Sequence, residues 1–123
     1  MLEGLLYQTV ELQPEPLSAT VRLLPESPVY KAHFPGYPIT PGVTLVQMGL
    51  ELLGALKGRS YRLAGAKGIK FLVPVLPAED TRLRYVFADA GDGNWNIDLL
   101  AADGTLCARM QCFLEPAQNE SLT

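Results

Sequence analysis

The chain has 123 residues, 48% hydrophobic and 19% charged, with a formal net charge of −3. That length suits one domain with one core, and the balance excludes disordered and collagen-like classes. No apolar run approaches the roughly 18–20 residues of a membrane span, and the start MLEGLLYQTVELQP has an early acid and no basic stretch, unlike a secretion signal. The expectation is a cytoplasmic protein with no membrane span.

In chain order, a first strand is expected across Leu5–Leu12, broken by Gln13-Pro14-Glu15-Pro16. Leu17, Ala19, Val21 and Leu23 then alternate with Ser18, Thr20 and Arg22, the period of a half-buried strand. Residues 33–51, HFPGYPITPGVTLVQMGLE, hold the one histidine, His33, in a loop stiffened by Pro and Gly, followed by an apolar run. The spacing predicts a helix over Gly42–Leu56, with Thr40-Pro41 as cap and start and Gly58 as stop. Val43, Leu45, Val46, Met48, Leu50, Leu52, Leu53 and Leu56 lie all around that cylinder, as in a buried helix.

Tyr61–Val75 reads as one long or bent strand ending at Pro74 and Pro77. Leu83, Tyr85 and Phe87 share a strand face, GDGN at 91–94 makes a turn, and Trp95, Ile97 and Leu99 share the next face. Asp103-Gly104 is a second hairpin signal, followed by a strand over Thr105–Leu114 with Leu106, Ala108, Met110 and Cys112 to one side. The fold class expected is α+β: one central helix wrapped by an antiparallel sheet of five or six strands. It forms a single domain over 1–116, with a C-terminal tail from 117 to 123.

Cys107 and Cys112 lie five apart in the last strand, a spacing that sends side chains to opposite faces and argues against a disulfide between them. One histidine and no CxxC give no zinc site, so no metal is expected. From Leu52 to Ala78 there is no Asp or Glu, while Lys57, Arg59, Arg62, Lys67 and Lys70 fall inside. A basic window on an acidic chain suggests an acidic partner rather than nucleic acid.

Thr44, Gln47 and Glu51 share one helix face. A carboxylate on a buried helix needs a partner, water or a substrate opposite it. The helix N-terminus near Gly42 offers free N–H groups to a carbonyl that gains negative charge, and His33 is the candidate proton carrier beside it.

HFPGYPITPGV closely resembles the HFPxxPxxPGV signature of the hotdog-fold β-hydroxyacyl–acyl carrier protein dehydratases of the FabZ and FabA type. YRLAGAKGIKFLVPVLPAEDTRLRYVF resembles the strands that follow in that family, so the likeness runs from about Val21 to Leu114. The resemblance implies a homodimer or larger assembly with its sites at the interface, and a (3R)-3-hydroxyacyl substrate on the phosphopantetheine of acyl carrier protein, an acidic protein. It implies no cofactor beyond that arm. By carry-over, His33 removes the α-proton of the thioester and the Gly42 N–H polarises its carbonyl. Phe34, Tyr37, Pro41, Val43 and Phe71 become candidate substrate contacts, and Arg59, Arg62, Lys67 and Lys70 candidate carrier-protein contacts.

One position departs from the family. Where it places an acid, fourteen residues after the histidine, this chain has Gln47, and where Glu-type enzymes carry a glutamine it has Glu51. A carboxamide is no proton donor at neutral pH. The expectation is dehydration with this altered dyad, Glu51 acting through Gln47 or through water, or His33 carrying the proton unaided. The alternatives are a non-catalytic partner in a heterodimer with another hotdog subunit, or a hotdog acyl-thioesterase.

Overall fold

The computed structural model describes residues 1–33, 39–78 and 80–117. Its elements are β1 (Tyr7–Pro14), β2 (Leu17–Leu23), α1 (Pro28–His33), α2 (Gly42–Lys57), β3 (Tyr61–Phe71), β4 (Arg82–Gly91), β5 (Asn94–Ala101) and β6 (Leu106–Pro116). The strands form one six-stranded sheet in the order β1-β2-β4-β5-β6-β3, with every neighbouring pair antiparallel. The expected meander is β4, β5 and β6, and its first turn sits on Asp92 and Gly93, both at positive φ as a tight hairpin turn requires.

The alternation read from the sequence decides which face is covered. Val21, Leu83, Tyr85, Phe87, Ile97, Leu99, Met110 and Cys112 are buried, and α2 adds Leu45, Met48, Leu52 and Leu53 to the same core. Each such large apolar side chain contributes about 1.5–3 kcal/mol relative to exposure. Two contacts seat the helix: the Tyr85 hydroxyl donates to the Leu45 carbonyl at 2.6 Å, and Gly49 lies against the Tyr85 ring. Gly58 ends α2 at φ 70°, as its position after the apolar run suggested.

Four expectations are corrected. Pro28–His33 is a short helix that the apolar pattern did not reveal. Its start is nevertheless written in Ser27-Pro28: the Ser27 hydroxyl accepts from the Val29 N–H at 3.3 Å. Tyr61–Val75 is not one strand. The ladder stops at Phe71 because the Leu72 and Val73 N–H groups both donate to the Cys107 carbonyl, at 2.8 and 3.2 Å.

Nor is α2 buried on all sides. The sheet covers one side, which leaves Gln47 and Ala55 exposed and Val43 at 74% exposure. The Thr40 cap is not formed either; Pro41 takes the N-cap position with no side-chain hydrogen bond. Both cysteines are buried and free. No helix among the described residues is long and apolar enough to cross a membrane.

Candidate functional site

The site grows from the start of α2. Tyr30, in α1, is buried, and its hydroxyl lies 3.1 Å from Thr40 Oγ1. Burial raises the Tyr30 pKa, and the hydrogen bond to Thr40 draws it partly back. The Thr40 N–H donates to the Val75 carbonyl at 2.8 Å, tying the loop exit to the segment after β3. Proline at the N-cap position leaves the first N–H groups of α2 with no side-chain cap. The Pro41 carbonyl accepts from the Thr44 N–H, the Leu45 N–H and the Thr44 hydroxyl, the last at 2.6 Å. The Gly42 and Val43 N–H groups find no acceptor among the described residues, as helix geometry leaves the first turn.

Gly42 borders an apolar hollow of about 310 Å³ lined also by Pro41, Leu45, Phe71, Val73 and Val75, among others. Phe71 approaches Gly42 closely: a Cβ at residue 42 would sit 2.7 Å from two of its ring carbons unless the ring moved. Pro41 and Phe71, two expected substrate contacts, therefore line this hollow. Val43 does not, since it points along the open side of the helix. Phe34 and Tyr37 lie outside the described residues, and of His33 only the backbone position, at the end of α1, is described.

Gln47 and Glu51 face a second and wider groove of about 680 Å³, with Met1, Leu50, Gly54, Arg59, Ser60 and Tyr61 among its walls. Within one chain the Gly42 hollow and the Gln47–Glu51 groove are thus separate. The groove also shows what the polar stripe meets. The Leu2 N–H donates to both Glu51 oxygens, at 3.0 and 2.9 Å. The Glu3 N–H donates at 3.3 Å, the Tyr7 hydroxyl at 2.9 Å and Gln47 Nε2 at 3.1 Å.

The expectation that Glu51 supplies the missing acid therefore meets a carboxylate whose two oxygens are already ringed by donors. Burial, then the hydrogen bond and the negative charge of Glu51, push the Tyr7 pKa well up. Sequence reasoning missed Tyr7 and the N-terminal backbone altogether, since a contact across 44 residues leaves no local pattern.

The basic window divides. Arg62 is paired with Glu115 across β3 and β6, an acid outside the window in sequence but opposite it in the sheet. Lys67 borders a polar hollow with Asn96 and Gln111 on the face away from α2. Lys70 stands in register with Arg109, itself paired with Asp98. Only Arg59 of the four adjoins the Gln47–Glu51 groove, its guanidinium 5.6 Å over the Tyr61 ring.

An antiparallel sheet covering one side of a long helix is the layout of the hotdog fold, and comparison with known proteins bears this out. A chain of the dehydratase heterocomplex ApeI:P from Xenorhabdus doucetiae superimposes with a TM-score of 0.69 over 88% of this chain and 96% of that one, at 18% identity, a likeness of fold. In sequence, the 3-hydroxyacyl-[acyl-carrier-protein] dehydratase FabZ of Teredinibacter turnerae is 28% identical over 111 residues, 80% of this chain and 76% of that protein. The corresponding FabZ of Roseiflexus castenholzii is 32% identical over 92 residues, 68% of this chain and 64% of that protein. The fold and these relatives define a hotdog-fold, dehydratase-like protein. The ApeI-like family model, described as ApeI dehydratase, matches residues 9–111, and the chain belongs to that family.

Proposed function

We propose that this chain removes water from a (3R)-3-hydroxyacyl thioester carried on the phosphopantetheine arm of acyl carrier protein, giving the trans-2-enoyl thioester. The observation that carries this reading is the uncapped, glycine-started N-terminus of α2 opening on an apolar hollow. Free N–H groups there suit a thioester oxygen that gains negative charge as the α-proton leaves, and the hollow suits an acyl chain. His33 takes the α-proton, and Gln47 engages the β-hydroxyl.

Because the Gly42 hollow and the Gln47 groove are separate in one chain, the site is completed by a second hotdog subunit laid along the open side of α2. The matching edge is β3, an outer strand of 11 residues bearing exposed Leu63 and Phe71. The second subunit is another copy of this chain or a different hotdog chain, a reading supported by the likeness to the ApeI:P heterocomplex. Of the basic residues, Arg59 at the groove and Lys67 and Lys70 on the outer face remain candidates for the carrier protein, whereas Arg62 is engaged by Glu115.

The test is intact-mass measurement of (3R)-3-hydroxyacyl carrier protein after incubation with the purified chain. Loss of one water, abolished in His33→Ala, is expected. Release of the free thiol instead would point to thioester hydrolysis. Gln47 at the acid position specifically favours a second reading, the non-catalytic partner subunit, which predicts no loss of water until another dehydratase chain is added.

A further inference from the structure

We infer that Glu51 is a positioning residue: it turns the Gln47 carboxamide so that its carbonyl oxygen, rather than its NH2, meets the substrate hydroxyl. The inference rests on the dehydratase reading above and deepens it. An ionised carboxylate only accepts hydrogen bonds, whereas a carboxamide has one accepting and one donating end. Glu51 accepts from the Leu2 and Glu3 N–H groups, the Tyr7 hydroxyl and Gln47. The Gln47 end facing it must therefore be the NH2, which lies 3.1 Å away. Gln47 is exposed on the open side of α2, and its Oε1 has no donor among the described residues. The free end of this side chain is an acceptor.

That orientation has a chemical consequence. A hydroxyl that donates its proton to Gln47 Oε1 keeps a lone pair free for a second proton. His33 takes the α-proton, and the electron pair of the broken C–H bond forms the double bond as the C–O bond breaks. The imidazolium then returns that proton to the departing oxygen, which leaves as water. No carboxylic acid is needed, and the N-terminal residues that hold Glu51 become part of the support for the site.

The experiment uses the full chain with two probes, a 3-hydroxyacyl pantetheine thioester and its saturated counterpart lacking the hydroxyl. Binding of both is measured for the wild type, Glu51→Gln and Gln47→Met, with thermal melts of each variant alongside. A carboxamide at position 51 can bond Gln47 in either sense, so Gln47 no longer presents a fixed acceptor. Affinity for the hydroxyacyl probe is expected to fall about tenfold in both variants, the scale of one lost hydrogen bond, while the saturated probe binds as before.

Equal losses on both probes, or a selective loss in Gln47→Met without one in Glu51→Gln, overturn the inference. The dehydratase reading fails separately: a wild type that binds the hydroxyacyl probe with this selectivity but never dehydrates it, alone or with a second dehydratase chain, refutes the activity and leaves the orientation standing. Where turnover is present, Glu51→Gln is expected to lower kcat while leaving the shape of the pH–rate profile, set by His33 alone, unchanged. Loss of one limb would make Glu51 the acid and overturn its positioning role.

Discussion

Tyr30 in α1 and Thr40 just ahead of α2 share a buried contact of 3.1 Å between their hydroxyls. This pair ties α1 to the residue that precedes the Pro41 N-cap of α2. Tyr30→Phe leaves the Thr40 hydroxyl buried without its partner and is expected to cost about 1–3 kcal/mol. The double variant Tyr30→Phe with Thr40→Val, which removes both polar groups, is expected to be the more stable of the two by urea unfolding. Strict additivity of the two single changes would show that the contact contributes nothing.

Gly42 and Phe71 make the second prediction. A methyl group at residue 42 meets the Phe71 ring at 2.7 Å, but that ring is half exposed and can swing aside. Gly42→Ala is therefore expected to cost only about 1 kcal/mol of stability, while placing a methyl group beside the free N–H groups and lowering turnover sharply. Adding Phe71→Ala is expected to relieve the clash without restoring turnover. Recovery of turnover in the double variant would mean that Gly42 serves packing alone.

Much of this was legible before any coordinates. The period-two runs Leu17–Leu23 and Leu83–Phe87, the two turns and the apolar run of α2 each state a local preference, and the sheet assembles from them. Tertiary facts were not legible. Whether α2 is covered on one side or all round depends on how far the sheet wraps, which no helical pattern records. The Arg62–Glu115 pair and the Glu51–Tyr7 contact join residues 53 and 44 apart. The polar stripe of Gln47 and Glu51 did announce that something must face it, but nothing in the pattern named the N-terminal backbone as the partner of Glu51.

Three tyrosines predict how stability responds to alkali. Burial foremost raises the pKa of Tyr7, Tyr30 and Tyr85, with Glu51 adding to the rise at Tyr7 and Tyr85. Below pH 10, the ordinary value for tyrosine, folded and unfolded chains both keep these phenol protons. Above it the unfolded chain releases protons that the fold retains, so stability falls as pH rises. For the fully buried Tyr85 the slope approaches about 1.4 kcal/mol per pH unit. Unfolding followed by circular dichroism is expected to coincide with the late rise of tyrosinate absorbance, and Tyr7→Phe to make the decline shallower. Titration of all the tyrosines near pH 10 with the fold intact would contradict this.

The outer strand β3, of 11 residues, offers unpaired backbone groups, and exposed Leu63 at 38%, Phe71 at 49% and Phe113 at 38% lie on it or beside it. Such an edge invites pairing unless it is charged, bulged or covered. Register shifts at Leu63/Gly65 and Ala66/Gly68 interrupt it in two places but leave Ile69–Phe71 regular. If a second subunit pairs there and completes the groove beside Gln47, Leu63→Lys is expected to reduce the assembly to single chains in sedimentation while the melting temperature falls only slightly. Turnover is expected to be lost with the assembly, because the two halves of the site no longer meet. An unchanged sedimentation profile in Leu63→Lys, or full turnover from single chains, would remove β3 as the interface and place the completed site within one chain.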